Sequence, residues 1–160
     1  MPALKKKTPS VEELAVQRGL HDERLGFRVR LLHLALSRRV EEALQPFGLR
    51  PGSLTIMVLI SANAGYSQAE LARMGLLDKS ALVAIIDDLE TQQLAIRGRV
   101  DGDRRRNSLH LTEKGEEVMR RMHAAALETE RQVVATFSAA EYSALFDSLD
   151  RAYAAIEDPS

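Results

Sequence analysis

The sequence predicts a mainly α-helical protein with one small β-hairpin: a winged helix-turn-helix with N- and C-terminal dimerisation helices. First, apolar residues recur at helical spacing on both sides of the middle of the chain. Second, two short helical segments, 67–74 and 78–93, are separated by about three residues that include a glycine, which is typical of a helix-turn-helix. Third, the apolar period then changes from 3.6 to 2 around an Asp-Gly-Asp turn, which predicts two strands, 94–100 and 106–111.

Composition narrows the class of protein. The 160 residues are 45% hydrophobic and 28% charged, as in a soluble globular domain, and the net charge is -1. The absence of cysteine excludes disulfides, thiolate metal sites and cysteine nucleophiles. No signal peptide or membrane span is expected, since the longest apolar run, Leu54 to Ile60, is short. A cytoplasmic protein is therefore predicted, in which any nucleic-acid binding must come from local clusters of charge.

The first part of the chain predicts a flexible segment and a long helix. Residues 1–21 are expected to be flexible, and 22–47 to form a dimerisation helix that ends at Pro46 and Gly48. One stripe of that helix is apolar: Leu25, Val29, Leu32, Leu36, Val40 and Leu44. A short second helix, 54–62, is expected to begin after Pro51.

The DNA-binding domain is predicted over 48–112. Ser67 and Glu70 form a capping-box pattern at the start of the first helix of the motif, and Asp78 is the expected N-cap of the second. The apolar stripe of the second helix is Leu82, Ile85, Ile86 and Leu89. The second helix of such a motif enters the major groove, so it is the predicted recognition helix.

The remainder, 113–160, is predicted to form C-terminal helices that take part in dimerisation. Thr112 is the expected cap of the first, and Ser138 with Glu141 forms a second capping box. Apolar stripes on the terminal helices favour burial against a second copy by two-fold symmetry. A monomeric helical bundle is the alternative.

The exposed face of the recognition helix supplies the first candidate DNA contacts: Lys79, Ser80, Ala81, Val83 and Ala84. It contains no Arg, Asn or Gln, so an ordinary amphipathic helix explains it equally well. The hairpin decides between them, because it concentrates five arginines: Arg97, Arg99, Arg104, Arg105 and Arg106. Only Asp101 and Asp103 are expected to oppose them, and guanidinium groups fit phosphate oxygens and narrow minor grooves. Asp103 is expected to pair with a neighbouring arginine.

Nothing in the sequence predicts an enzyme, a cofactor or a metal site. The four histidines are scattered, and no phosphate-binding loop or nucleophile motif is present. His33 is expected in the core more readily than in a ligand site, and His110 is expected to face outward on the wing.

These motifs resemble the MarR family of bacterial transcriptional regulators, from about Leu25 to the C-terminus. The matching pieces are SQAELA, DKSALVAIIDDLE, LAIRGRVDGDRR and LHLTEKGEE. The resemblance implies a homodimer that binds pseudo-palindromic operators and is released by a small, often phenolic, ligand. Ser67 and Gln68, which open SQAELA, join the expected DNA-binding residues.

The same resemblance implies roles for single residues. Asp103 and Arg105 match the pair that stabilises the wing, and Arg104 and Arg105 match the arginines at its tip. Many members carry arginine where this chain has Ala84, so readout is expected to depend more on Lys79, Ser80 and the wing.

The effector expected from the resemblance is an aromatic acid or its CoA thioester. The DKSALVAI motif is similar to that of the branch of the family that controls breakdown of hydroxycinnamates. The redox-sensing branch is excluded because the chain has no cysteine. The ligand is expected between the first, second and fifth helices, with these candidate residues: Arg28, Arg30, His33, Ser37, Met57 and Ile60. A packing role or simple exposure to solvent explains each of these six residues equally well. The alternatives for the whole protein are a DNA-binding regulator or activator without a ligand and a winged-helix module that binds protein, and the wing arginines argue against the latter.

Overall fold

The computed structural model describes residues 23–74, 78–100 and 103–157. Its helices are α1 (Leu25–Leu44), α2 (Ser53–Ala62), α3 (Gln68–Arg73), α4 (Lys79–Thr91), α5 (Glu113–Val134) and α6 (Ala139–Glu157). A 3₁₀ turn (Gln45–Phe47) follows α1, and the strands are β1 (Ala95–Val100) and β2 (Asp103–Leu111). The predicted mainly helical fold with one hairpin is confirmed. The predicted flexible segment 1–21, the helix stop at Gly75 and the Asp101–Gly102 turn lie outside the described residues.

One core holds α2 to α5 and the hairpin together. Each of these elements contributes buried apolar side chains, so the helix-turn-helix and the wing form one packed unit. The residues are Ile56, Met57, Ile60, Leu71, Leu82, Ile85, Ile86, Leu89, Leu94, Ala95, Leu109 and Met122. The predicted stripe of the second helix of the motif is therefore the part of α4 that faces the core.

The hairpin is antiparallel, and its register is regular near the core and irregular at the tip. Ala95 pairs with Leu111, and the ladder continues to the pair of Arg99 with Asn107. The next pair is Val100 with Asp103, so residues 104–106 fall within a register shift. The return strand thus begins at Asp103, earlier than the predicted start at Arg106, and the three consecutive arginines belong to the strand.

The junction between α4, β1 and α5 is tightly packed. Gln93 adopts a left-handed conformation (φ 59°), which turns the chain from α4 into β1. The hydroxyl of Thr112 caps α5 by accepting from Gly115 N at 3.0 Å and donates to the carbonyl of Gln93 at 2.8 Å. Lys114 Nζ donates to the carbonyl of Gln92 at 2.9 Å. The start of α5 therefore fixes the end of α4 relative to the wing.

The terminal helices contribute little to this core. No residue of α1 is buried, although α1 packs against α5. Large apolar side chains remain exposed on α1 and α6: Leu25, Val29, Leu32, Phe146, Leu149, Tyr153 and Ile156. Within the described ranges, no helix combines the length and apolar character needed to cross a membrane.

Candidate DNA-binding surface

The N-terminus of α4 is ordered by its cap. Asp78 Oδ1 accepts from the backbone N–H of Ala81 at 2.9 Å and from the hydroxyl of Ser80 at 2.5 Å. The Ser80 hydroxyl, followed by the Ala81 N–H, lowers the pKa of the Asp78 carboxyl below its ordinary value. A Ser80 hydroxyl that donates to DNA must therefore give up its bond to Asp78.

The predicted contact residues of α4 lie along one side of it. Lys79 and Ser80 are exposed, whereas Ala81, Val83 and Ala84 are half-buried. Opposite them, the core stripe is fully buried. This arrangement presents the start of α4 to solvent, as a recognition helix requires, and the base and phosphate contacts of these five residues stay predictions.

The start of α3 is capped as the sequence predicts. The Ser67 hydroxyl donates to Glu70 Oε2 at 2.8 Å and accepts from Glu70 N at 3.3 Å, and Ser67 N donates to the same carboxylate at 2.7 Å. Gln68 is half-buried at the first helical position. Both residues lie at the N-terminus of the first helix of the motif, and their DNA contacts stay predictions.

Arg97 forms ion pairs that the sequence does not predict. Its Nη2 lies 2.8 Å from Asp87 Oδ1, and its Nη1 lies 3.1 Å from Glu90 Oε2, both on α4. The expectation that only Asp101 and Asp103 oppose the wing arginines is therefore wrong. The signal in the sequence was an i, i+3 pair of acids on the helix that precedes the strand.

The tip of the wing is described by its backbone alone. The side chains of Arg99, Asp103, Arg104, Arg105 and Arg106 lie outside the described part, and so does the expected pairing of Asp103 with an arginine. The backbone places residues 104–106 at the register shift, at the end of the hairpin farthest from the core. Such irregularities are frequent next to functional sites.

A cavity of about 350 Å³ lies where α1, α2 and α5 meet. Its apolar lining is Val40, Leu44, Leu49, Leu54 and Met122, and its polar lining includes Glu41, Gln45, Arg50 and Thr55. The location is the one expected for a ligand, but none of the six predicted ligand residues lines this cavity.

Those six residues lie in two different environments. Met57 and Ile60 are buried in the core, whereas Arg28, Arg30 and His33 are exposed on α1. Ser37 is half-buried, and its Oγ lies 3.4 Å from His33 Nδ1. The expectation of a core position for His33 is therefore wrong, because within the described chain nothing covers that part of α1.

His110 lies on the wing, half-buried, where its Nε2 is 3.0 Å from Ser108 Oγ. Its ring lies beside Gly98: a Cβ added there would be 3.4 Å from His110 Cδ2 and 2.8 Å from Ser108 Oγ.

In the described ranges no three His, Asp or Glu side chains are grouped in a way that could hold a metal ion.

A capped recognition helix, a hairpin packed directly behind it and arginines at the hairpin tip define a winged-helix DNA-binding protein. The MarR family model matches residues 47–106. The chain is 32% identical over 130 residues to a transcriptional regulatory protein for the hcr operon of Thauera aromatica, covering 81% of this chain and 78% of that protein. The chain therefore belongs to the MarR family of transcriptional regulators, and the predictions of a DNA-binding regulator and not an enzyme are confirmed.

Solved structures share the fold. The transcriptional repressor CouR, bound to a 23-mer DNA duplex, is 27% identical with a TM-score of 0.72, covering 92% of this chain and 99% of that one. A MarR family protein of Mycobacterium tuberculosis in complex with salicylic acid is 25% identical with a TM-score of 0.67, covering 81% of this chain and 96% of that one.

Proposed function

We propose that this regulator is a cytoplasmic homodimeric repressor, released from a pseudo-palindromic operator by a small aromatic acid or its CoA thioester. The similarity to a DNA-bound repressor supports the repressor role. The similarity to a salicylic acid complex supports an aromatic ligand. The cavity at the junction of α1, α2 and α5 is the observation that carries the proposal.

The dimer is supported by the apolar faces of the terminal helices. Tyr153 is 66% exposed and Ile156 74% exposed at the end of α6, and Leu25 is 62% exposed at the start of α1. Large apolar side chains that cluster on exposed helices mark interaction surfaces. In the proposed assembly 22–47 and 113–160 form the dimer, and 48–112 forms the DNA-binding domain of each subunit.

The cavity suits a small aromatic acid. Its volume of about 350 Å³ is at the lower end of the range typical of ligand sites. Leucine, valine and methionine side chains offer contact for an aromatic ring, and the Arg50 guanidinium offers a partner for a carboxylate. A CoA group would extend outside this volume. The six residues predicted from the sequence stay the alternative ligand site.

The position of the cavity suggests how a ligand would release DNA. Its lining belongs to α1 on one side and to the start of α2, within the DNA-binding domain, on the other. A ligand that fills it favours one relative placement of those helices. The two recognition helices of the dimer must fit operator half-sites about one helical turn apart. If the placement that the ligand favours spaces them differently, the ligand shifts the dimer population away from the DNA-bound form.

The test is release of a fluorescent operator duplex, obtained by in vitro selection, on addition of salicylate, 4-hydroxycinnamate or its CoA thioester. We expect at least one compound to raise the apparent Kd for DNA. Arg50→Gln should abolish the effect and leave DNA affinity without ligand unchanged, and Arg39→Gln is a matched arginine control on α1 outside the cavity.

The alternatives give different outcomes. Loss of the response in Arg28→Gln instead of Arg50→Gln would move the ligand to the site predicted from the sequence. DNA binding that no compound changes would favour a ligand-independent regulator. Absence of any selected DNA would favour a protein-binding module and contradict the proposal.

A further inference from the structure

We propose that Arg97 is a positioning residue for DNA recognition, which holds the wing against the recognition helix and makes no phosphate contact of its own. The inference rests on DNA binding by the winged helix. It assigns one of the five wing arginines a role different from that of the arginines at the tip.

The register of the hairpin decides where Arg97 points. Arg97 pairs with Leu109, and Ala95, two residues earlier, lies on the same face of β1. Ala95 and Leu109 are both buried in the core. The Arg97 side chain therefore starts from the face of the wing that packs on the helices and reaches α4, away from the solvent face.

The contacts join two separate elements. Asp87 and Glu90 are three residues apart on α4, so their carboxylates lie on one face of it. Different nitrogens of the Arg97 guanidinium contact each of them, at 2.8 Å and 3.1 Å. Because a guanidinium is planar and rigid, two such contacts restrict the orientation of β1 relative to α4. That orientation sets how the wing and the recognition helix meet DNA together.

Charge favours the same assignment. The side chains of Arg97 and Asp87 are 35% and 57% exposed, so this group of charges lies at the protein surface. Moving Arg97 to a phosphate would leave Asp87 and Glu90 unpaired on the recognition helix, where their charges would repel DNA. In place, Arg97 pairs with both carboxylates and offsets one of their two negative charges. Since partly exposed ion pairs add little to folding stability, variants of this cluster should remain folded.

The experiment compares binding of a selected operator duplex with that of a scrambled duplex of equal length, by fluorescence anisotropy over a series of salt concentrations. The variants are Arg97→Met, Arg97→Lys, the double variant Asp87→Asn with Glu90→Gln, and the triple variant that adds Arg97→Met. Arg120→Met is the matched control, since Arg120 also forms a surface ion pair, at 2.9 Å with Glu117.

If Arg97 has a positioning role, Arg97→Met should lower the ratio of specific to non-specific affinity by about tenfold. That is roughly the discrimination contributed by one base pair. The salt slope for the selected duplex should be unchanged, because the number of bound phosphates stays the same. The Asp87/Glu90 double variant should lower the ratio similarly even though it removes negative charge. The ratio of the triple variant should be no lower than that of Arg97→Met or of the double variant. The ratio of Arg97→Lys should lie between those of Arg97→Met and the wild type, and that of Arg120→Met should equal the wild type.

A phosphate contact predicts the opposite for the double variant. Freed from its carboxylates, Arg97 would bind DNA more tightly, and the ratio would stay level or rise. A salt slope reduced by about one unit in Arg97→Met, as removal of one bound phosphate requires, would likewise overturn the proposal. Failure of the wild-type chain to select any DNA would instead contradict DNA binding itself, so the two failures are distinct.

Discussion

Replacing Gly115 with alanine should destabilise the protein, although alanine is the better helix former. A Cβ at this position of α5 would lie 1.9 Å from the carbonyl oxygen of Leu94, 2.9 Å from its carbonyl carbon and 3.3 Å from its Cα. All three are backbone atoms, so no flexible side chain can move aside. The distance from the Cβ to the oxygen must lengthen to at least 3.4 Å before it is an ordinary van der Waals contact.

That movement also disturbs the bonds of the junction. The carbonyl of Leu94 accepts from Thr112 N at 3.0 Å, and the Thr112 hydroxyl caps Gly115 N at 3.0 Å. Overpacking typically costs about 1–3 kcal/mol, and each weakened hydrogen bond about 1 kcal/mol. The higher helix propensity of alanine offsets up to about 1 kcal/mol of this cost. The free energy of unfolding should therefore fall by about 2–4 kcal/mol.

Urea denaturation followed by circular dichroism at 222 nm measures this loss. The control is Gly26→Ala in α1, where the added Cβ meets nothing within 4 Å and the expected change is a gain of up to about 1 kcal/mol. A Gly115→Ala protein as stable as the wild type would show that the junction is not rigidly packed, because the carbonyl of Leu94 would then move aside at no cost.

Two further predictions concern single hydroxyls. Ser53 is fully buried, and its Oγ has no hydrogen-bond partner among the described residues. Ser53→Ala should therefore raise the free energy of unfolding, measured by urea titration, by about 1 kcal/mol. The control is Ser61→Ala, which removes a 2.8 Å hydrogen bond to Glu116 and should lower the free energy of unfolding. Equal effects of the two substitutions would show that the Ser53 hydroxyl has a hydrogen-bond partner. Ser80→Ala should raise the lowered pKa of the Asp78 carboxyl toward 3.8, since the largest cause of the lowering is removed. The stabilisation from this cap is complete above pH 3.8 and is lost as the pH falls through the lower folded-state pKa. A carboxyl ¹³C NMR titration of Asp78 that gives the same midpoint in the wild type and in Ser80→Ala would contradict the role of the Ser80 hydroxyl.

Local patterns predicted most of the fold. The two capping boxes at Ser67 and Ser138 and the cap at Thr112 each form the hydrogen bonds their sequences indicate. The stripe of α4 is buried because its period matches the helix and leaves one face for the core. These features depend on residues a few positions apart, which a sequence displays directly.

Contacts between distant elements were less visible. The bridge from Arg97 to α4 depends on the face of β1 that packs on the core, and the register decides that face. The cavity lies where α1, α2 and α5 meet, which is where the ligand was predicted, but its lining differs from the predicted residues because the end of α1 and the loop before α2 form its wall. The ligand site itself stays a prediction. His33 was predicted in the core because its helix is apolar, yet α1 has no buried residue in the described chain.

DNA recognition by the helix-turn-helix and the wing arginines is tested most directly by the salt dependence of binding to DNA selected in vitro from random sequence. We expect the wild-type chain to select a site with two-fold symmetry, and its log affinity to fall linearly with log salt concentration. Arg104→Ala with Arg105→Ala should reduce the slope by about one unit for each phosphate that these arginines bind. A chain that selects no site, or a variant whose slope equals that of the wild type, would contradict this mode of recognition.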